Sequence, residues 1–582
     1  MQHTKLFSAI AVVVIASCAG DRVNDEATLI EQPSVAEISI NALPGDDYDA
    51  AQTQQIKQDR QFAAVSRREI IAKQSARYSA VSMQSMDMAM PWPTHRQNSE
   101  NYVAFDENRV LQVGESPVST FSIDVDTAAY SNVRRMLLRE GRLPPGDAVK
   151  VEEFINYFDY SYQSPDLSDA PFSVHTEIAP TPWNAKTHLL KIGLKGFQPA
   201  MDKRPPANLV FLVDVSGSMR SPMKLGLVKK SLRLMVNQMQ ADDRVAIAVY
   251  AGAAGLILDS TPGTKKATIF AAIDTLEAGG STNGGAGIRL AYNVASQYFV
   301  DGGINRVLIA SDGDMNVGTV NHEALKELIE NNRERGIALT TLGYGSGNYN
   351  YALMEEMADV GNGNAAYIDT LKEAHKVLVK EMGSTLQTIA KDVKIQIEFN
   401  PAFVSEYRLI GYENRILERE DFRNDKIDAG EIGVGHTVTA LYEIALTGSG
   451  GEQVAPLRYQ TPAQPEQEAF GPDNSVELGY MRLRYKAPGG DVSREIKQVI
   501  RQSDSAATLA DSSADFRFAA SVAGFGQLLR GGKYTGQWSY DDLLNLARGA
   551  RGDDRHGYRG EMLALVELSR DLSGIGNSID ES

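Results

Sequence analysis

The chain has 582 residues, enough at roughly 150 residues per domain for three or four domains with cores of their own, which excludes a small disulfide-stapled scaffold. Its 58 Lys and Arg against 75 Asp and Glu leave a formal net charge of −17, and no basic stripe interrupts that acidity, so nucleic acid is not an expected partner. Hydrophobic residues at 43%, with 50 Gly and 22 Pro, are ordinary for a globular protein, and past residue 20 no apolar run approaches the roughly 20 residues needed to cross a bilayer.

At the N-terminus, Lys5 precedes an apolar stretch from Leu6 to Ile15, too short to span a membrane but the right length for the apolar part of a secretory signal. The stretch ends in Ile15-Ala16-Ser17-Cys18, which resembles the lipobox of bacterial lipoproteins. That resemblance implies cleavage before Cys18, lipid on the new terminal cysteine, and, because Ala19 rather than Asp follows, an outer-membrane address in a Gram-negative envelope. Cys18 is the single cysteine, so internal disulfides and Cys-based zinc sites are excluded. Residues 19–100 are rich in Gln, Ser, Ala, Asp and Arg without sustained periodicity, and read as a flexible tether with one helix near Ala51 to Ala80. Met83, Met86, Met88 and Met90 lie in it without His or Cys beside them, which favours a chance cluster over a soft-metal site.

Order is expected from about residue 101. In the segment 101–206, Phe121 to Asp126 reads as a buried strand, Ala128 to Glu140 as a helix stopped by Gly141, Val151 to Phe158 as a second short helix, and Val174–Ile178 with His188–Leu194 as paired strands. Residues 207–385 then alternate strand and helix. The strands are Leu209–Val213, Val245–Tyr250, Leu256–Leu258, Arg306–Ala310, Ala338–Leu342 and Ala366–Ile368; the helices are Lys224–Met239, Lys266–Leu276, Ala286–Tyr298, His322–Glu334, Tyr351–Ala358 and Leu371–Met382. Near-continuous apolar strands require a sheet covered on both faces, so this segment is predicted to be an α/β, doubly wound, mostly parallel sheet. A β-rich region over 386–500 and a helical region over 501–582 follow. The strands on either side of the α/β segment are expected to pair into one β unit from which it projects.

Three loops of the α/β segment carry chemistry. The first strand runs into Asp214-Val215-Ser216-Gly217-Ser218-Met219, a second loop is Gly279-Gly280-Ser281-Thr282-Asn283-Gly284, and a third is Ser311-Asp312-Gly313-Asp314. In open parallel sheets ligands bind at the carboxyl ends of strands near the switch in strand order. Two carboxylates with Ser and Thr hydroxyls make an all-oxygen set suited to a hard divalent cation, Mg²⁺ foremost, with Mn²⁺ or Ca²⁺ as substitutes.

Together, Asp214-x-Ser216-x-Ser218, Thr282 and Ser311-Asp312-Gly313 resemble the metal-ion-dependent adhesion site of von Willebrand factor type A domains, over roughly 208–382. The resemblance implies that Ser216, Ser218 and Thr282 contact the metal while Asp214 and Asp312 hold it through bridging groups. It implies a Rossmann-like fold, a binding rather than an enzymatic role, and a protein ligand whose exposed Asp or Glu completes the shell. The flanks resemble a bacterial subgroup of these proteins: Phe121–Tyr130 with Val151–Tyr157 its N-terminal extension, and Tyr407–Ile444 a C-terminal domain of unassigned function. The expectation is a lipid-anchored envelope protein that binds a protein partner through Mg²⁺ and binds no nucleotide, no phosphate loop of the GxxxxGK[ST] type being present. A metal-assisted hydrolase using the same loops and a structural envelope protein without metal-dependent binding are the alternatives. Hydrolysis would need a general base, yet none of the eight histidines lies in the three loops. Asp124-Val125-Asp126-Thr127 superficially matches a phosphatase nucleophile motif but lacks the α/β continuation that chemistry needs, so a structural role is expected.

Overall fold

The computed structural model describes residues 100–123, 126–165, 170–198, 204–281, 283–313, 322–381, 386–427, 429–455, 476–490 and 492–580. Cys18, the segment 1–18, residues 19–99 of the expected tether with its methionines, Asp124, Thr282 and Asp314 lie outside the described residues.

The elements in chain order are β1 (Leu111–Gln112), β2 (Val118–Ser122), α1 (Ala128–Arg135), α2 (Val151–Asn156), β3 (Phe172–Thr181), β4 (Asn184–Gly196), β5 (Ala207–Asp214), α3 (Leu225–Asn237), β6 (Arg244–Tyr250), β7 (Ala254–Pro262), α4 (Lys266–Asp274), α5 (Gly284–Gln297), β8 (Ile304–Ser311), α6 (His322–Glu334), β9 (Ile337–Tyr344), α7 (Tyr351–Val360), β10 (Ala365–Ile368), α8 (Leu371–His375), β11 (Thr388–Phe399), β12 (Val404–Ile410), β13 (Ile432–Gly433), β14 (Thr437–Leu446), β15 (Glu477–Lys486), β16 (Ser493–Arg501), α9 (Ala514–Leu529), α10 (Tyr540–Arg548) and α11 (Tyr558–Asp580). Both α1 and α8 continue as a wider π turn, to Glu140 and Lys380 respectively.

The middle of the chain forms a six-stranded sheet in the order β10-β9-β8-β5-β6-β7, parallel except for β7, which pairs antiparallel with β6 at the edge. Every residue of β5 is buried because both faces are covered. Leu209, Phe211 and Val213 face α3, α4 and α8, while Val210 and Leu212 pack with α5, α6 and α7. The i, i+3, i+7 stripe Leu225, Val228 and Leu232 fixes which side of α3 meets the sheet. The order reverses between β5 and β8, and this is the switch point of a doubly wound sheet.

The segments before and after this unit share two antiparallel sheets. One runs β1-β12-β14-β4-β3; in the other β11 pairs with β13, β15 and β2, and β16 closes the far edge. The pairing anticipated across the α/β segment is present: Leu194 lies opposite Val438, and Phe121 opposite Ile395. Their inner faces enclose Phe121, Ile192, Leu194, Ile395, Ile397, Tyr442 and Leu483. The outer face of the first sheet carries Leu189 and Leu441, against which α2, α9, α10 and α11 build a helical layer around Phe154, Phe518, Phe525, Leu543 and Met562. The expected strand Phe121–Asp126 is shifted, the paired residues being Val118–Ser122. No described helix is long and apolar enough to cross a membrane.

Buried ion pairs tie the three parts together. Arg134 of α1 bonds Asp369 through two nitrogens, Glu373 of α8 at 2.7 Å, the Tyr157 hydroxyl at 2.8 Å and Glu561 of α11 at 2.8 Å. Lys150 pairs with Glu355 of α7, and Tyr351 donates to Glu153. Asp126 accepts from the Ala365 amide at 2.7 Å, so the described half of the phosphatase-like motif anchors β10.

Candidate functional site

β5 delivers Asp214 to the switch point and β8 delivers Ser311 and Asp312 beside it, because the two strands are paired from Ala207 opposite Ile304 up to Val213 opposite Ala310. All three residues are completely buried. Asp214 Oδ1 accepts from the Ser216 amide at 2.8 Å, an Asx-type turn that folds the loop back over the strand end. Its other oxygen accepts from the Ser311 hydroxyl and from the Tyr250 hydroxyl, each at 3.1 Å. The Ser216 and Ser218 hydroxyls lie 2.9 Å apart, with Ser216 buried and Ser218 exposed.

The second loop is brought to the first by two backbone bonds, from Gly279 N to Val215 O at 2.7 Å and from Gly217 N to Gly280 O at 3.0 Å. Gly280 adopts a φ of 90° there. Thr282 lies outside the described residues; Asn283 beside it caps α5 through the Ala286 amide. In the third loop Gly313 has a φ of 83°, and a Cβ on it would stand 2.4 Å from the Asn350 amide nitrogen, so only glycine fits. The structure thus gathers Asp214, Ser216, Ser218, Ser311 and Asp312, and sets the Gly279–Gly280 backbone alongside.

Two contributors were not legible as site residues. Tyr250 ends β6 and reaches Asp214; Lys224, just before α3, places its Nζ 2.8 Å from Asp312 Oδ2 and 3.0 Å from Asn348 Oδ1. One signal for Lys224 was available: an ammonium at the start of a helix opposes the helix dipole and so calls for another reason to be there.

The electrostatics are asymmetric. Asp312 has a cationic neighbour in Lys224, whereas the hydrogen bonds to Asp214 come from neutral donors, an amide and two hydroxyls. Burial pushes the Asp214 carboxyl above the ordinary carboxylate range, and the neighbouring Asp312 charge pushes the same way, against the bonds from Ser216 and Ser311. A buried carboxylate held only by neutral donors, next to a second carboxylate and two adjacent hydroxyls, fits a small divalent cation in charge and in donor type. Among the described residues no group of three or more His, Cys, Asp or Glu could hold a metal, so a softer nitrogen or sulfur site has no counterpart there.

Comparison with known proteins places the segments. Residues 208–380 match the von Willebrand factor type A domain, 96–191 match a model described as von Willebrand factor, and 384–572 match the C-terminal region of the uncharacterized protein YfbK. The uncharacterized protein YfbK of Escherichia coli (strain K12) is 45% identical over 490 residues, 83% of each chain. Uncharacterized protein sll0103 of Synechocystis sp. is 28% identical over 173 residues, 30% of this chain and 40% of its own. Among solved structures, a von Willebrand factor type A protein from Catenulispora acidiphila is 15% identical and covers 69% of this chain and 91% of its own, with a TM-score of 0.37.

Proposed function

This chain belongs to the YfbK family, with a von Willebrand factor type A domain over residues 208–380, and we propose on that premise that it is a metal-dependent protein-binding lipoprotein of the bacterial cell envelope. Domains of this type generally mediate protein interactions. The observation that carries the metal dependence is the meeting of Asp214, Ser216, Ser218 and Asp312 at the sheet's switch point, with Asp214 buried among neutral donors. Ser216 and Ser218, with Thr282 from the second loop, would touch the ion, and Asp214 and Asp312 would offset part of its charge. Mg²⁺ bound there would supply Lewis acidity, for which an Asp or Glu of a protein partner would be the matching group. The chain's own contribution is to hold these oxygens on rigid strand ends. The hydrolytic alternative needs a free general base, and Asp214 and Asp312 are already engaged by their neighbours.

Calorimetric titration of Mg²⁺ into the wild type and the Asp214→Ala variant tests the reading: binding by the first and none by the second is expected, and equal binding overturns it. A crosslinking pull-down in Mg²⁺ against chelator then isolates the acidic partner. Anchorage through lipid on Cys18, in the outer membrane, is the second part of the proposal and rests on the sequence before that cysteine. Cys18→Ser is expected to abolish incorporation of labelled palmitate and to release the protein from the membrane fraction.

A further inference from the structure

Lys224 is held as a fixed part of the site. Its side chain is only 11% exposed, its Nζ is divided between Asp312 at 2.8 Å and Asn348 at 3.0 Å, and its stem lies over Gly345. Gly345 has a φ of 83°, and a Cβ there would stand 2.3 Å from Lys224 Cε, so the backbone of the β9–α7 loop is shaped around this one side chain. A lysine before the first turn of α3 is placed against the helix dipole, and the Asp312 pair supplies what that position lacks.

The charges of the three side chains carry a consequence. Asp214 and Asp312 with Lys224 sum to one negative charge, so a divalent cation among them leaves one positive charge; without Lys224 it would leave none. A site that is neutral once filled holds its metal more tightly and attracts an acidic group less. We propose that Lys224 is a built-in counter-charge that weakens the grip on the divalent cation, keeps Asp312 paired while the cation is away, and preserves the positive charge that an acidic partner binds. The inference rests on the reading of the site as a divalent-cation site.

Its test compares wild type, Lys224→Met, which keeps the stem over Gly345, and Lys224→Gln, with three measurements on the full chain: Mg²⁺ affinity by calorimetry, melting temperature in chelator, and acetate titrated into Mg²⁺-saturated protein as a probe for an acidic group. Lys224→Met is expected to bind Mg²⁺ about tenfold or more tightly, because a like charge has left a largely desolvated site. It is also expected to melt lower in chelator, with the ammonium gone from beside Asp312, and to bind acetate more weakly. Should Lys224→Met fold only when Mg²⁺ is supplied, that dependence is itself the expected outcome, and Lys224→Gln supplies the affinities. Wild type and both variants binding Mg²⁺ equally overturns the counter-charge and leaves the metal reading standing. No Mg²⁺ binding by the wild type overturns the metal reading and the inference with it.

Discussion

Replacing Arg134 with methionine removes the guanidinium from the junction of the three parts of the fold while keeping much of its bulk. Arg134 is 2% exposed, and its partners Asp369 and Glu373 are buried to 2% and 1%. Truncating one member of a buried ion pair strands the others in a low dielectric, at a typical cost of about 3–5 kcal/mol, and here two carboxylates are stranded at once. The Tyr157 and Glu561 bonds go with them. Equilibrium urea unfolding reads the loss through tryptophan fluorescence, since Trp183 and Trp538 pack 5.7 Å apart in the core shared with the helical layer. Adding Asp369→Asn and Glu373→Gln to Arg134→Met neutralises the stranded groups and is expected to restore most of the stability. A loss below about 1 kcal/mol, or a triple variant no better than the single one, would refute the view that this pair network clamps the α/β unit to its flanks.

Other outcomes follow from the same structure. Burial pushes the Glu152 and Glu153 carboxyls up to about 7, the first aided by Glu413, and Lys150 opposes both. Because the folded values are raised, their stabilisation is complete below about pH 4.5 and is lost as pH rises through about 7; melting temperature should therefore fall between pH 5 and 8, and Glu152→Gln should flatten that fall. Glu100, Glu177 and Asp515, whose values are lowered despite burial, chiefly by Arg135, Lys191 and Arg559, act oppositely and at lower pH. Gly313→Ala forces a left-handed residue into the Asn350 backbone and should cost more than about 1 kcal/mol in chemical unfolding, together with loss of Mg²⁺ binding by calorimetry. Ser539→Ala removes the capping box on α10 and should lower stability by about 1 kcal/mol, measured the same way.

The α/β unit was readable because its signals are local. Leu209 to Val213 is an unbroken apolar run, and α6 spans the expected His322–Glu334 because its apolar stripe ends where Arg335 and Gly336 break it. β16 carries no such local signal: Ser493–Arg501 is rich in charge and largely half-buried, and its strand character comes from pairing with β15, from Glu477 opposite Arg501 to Lys486 opposite Ser493. The same holds at the site. Asp214, Ser216, Ser218 and Asp312 stand in recognisable spacings on strand ends, whereas Tyr250 and Lys224 become part of it through contacts 36 and 88 residues away along the chain, and the one local hint, a lysine at a helix start, does not say which group it reaches.

Those long separations bear on how the molecule is made. All six strands of the α/β sheet lie within Ala207 to Ile368, so that unit can close as soon as it emerges during synthesis. Thr120 meets its Gln396 partner only 276 residues later, and β4 must await β14. Until the last third of the polypeptide arrives, the early strands present bare edges, the surfaces most prone to join the wrong neighbour. Escort of the half-finished chain is therefore a demand written into its topology, and a chain interrupted before Thr388 would carry a finished α/β unit on an unfinished base.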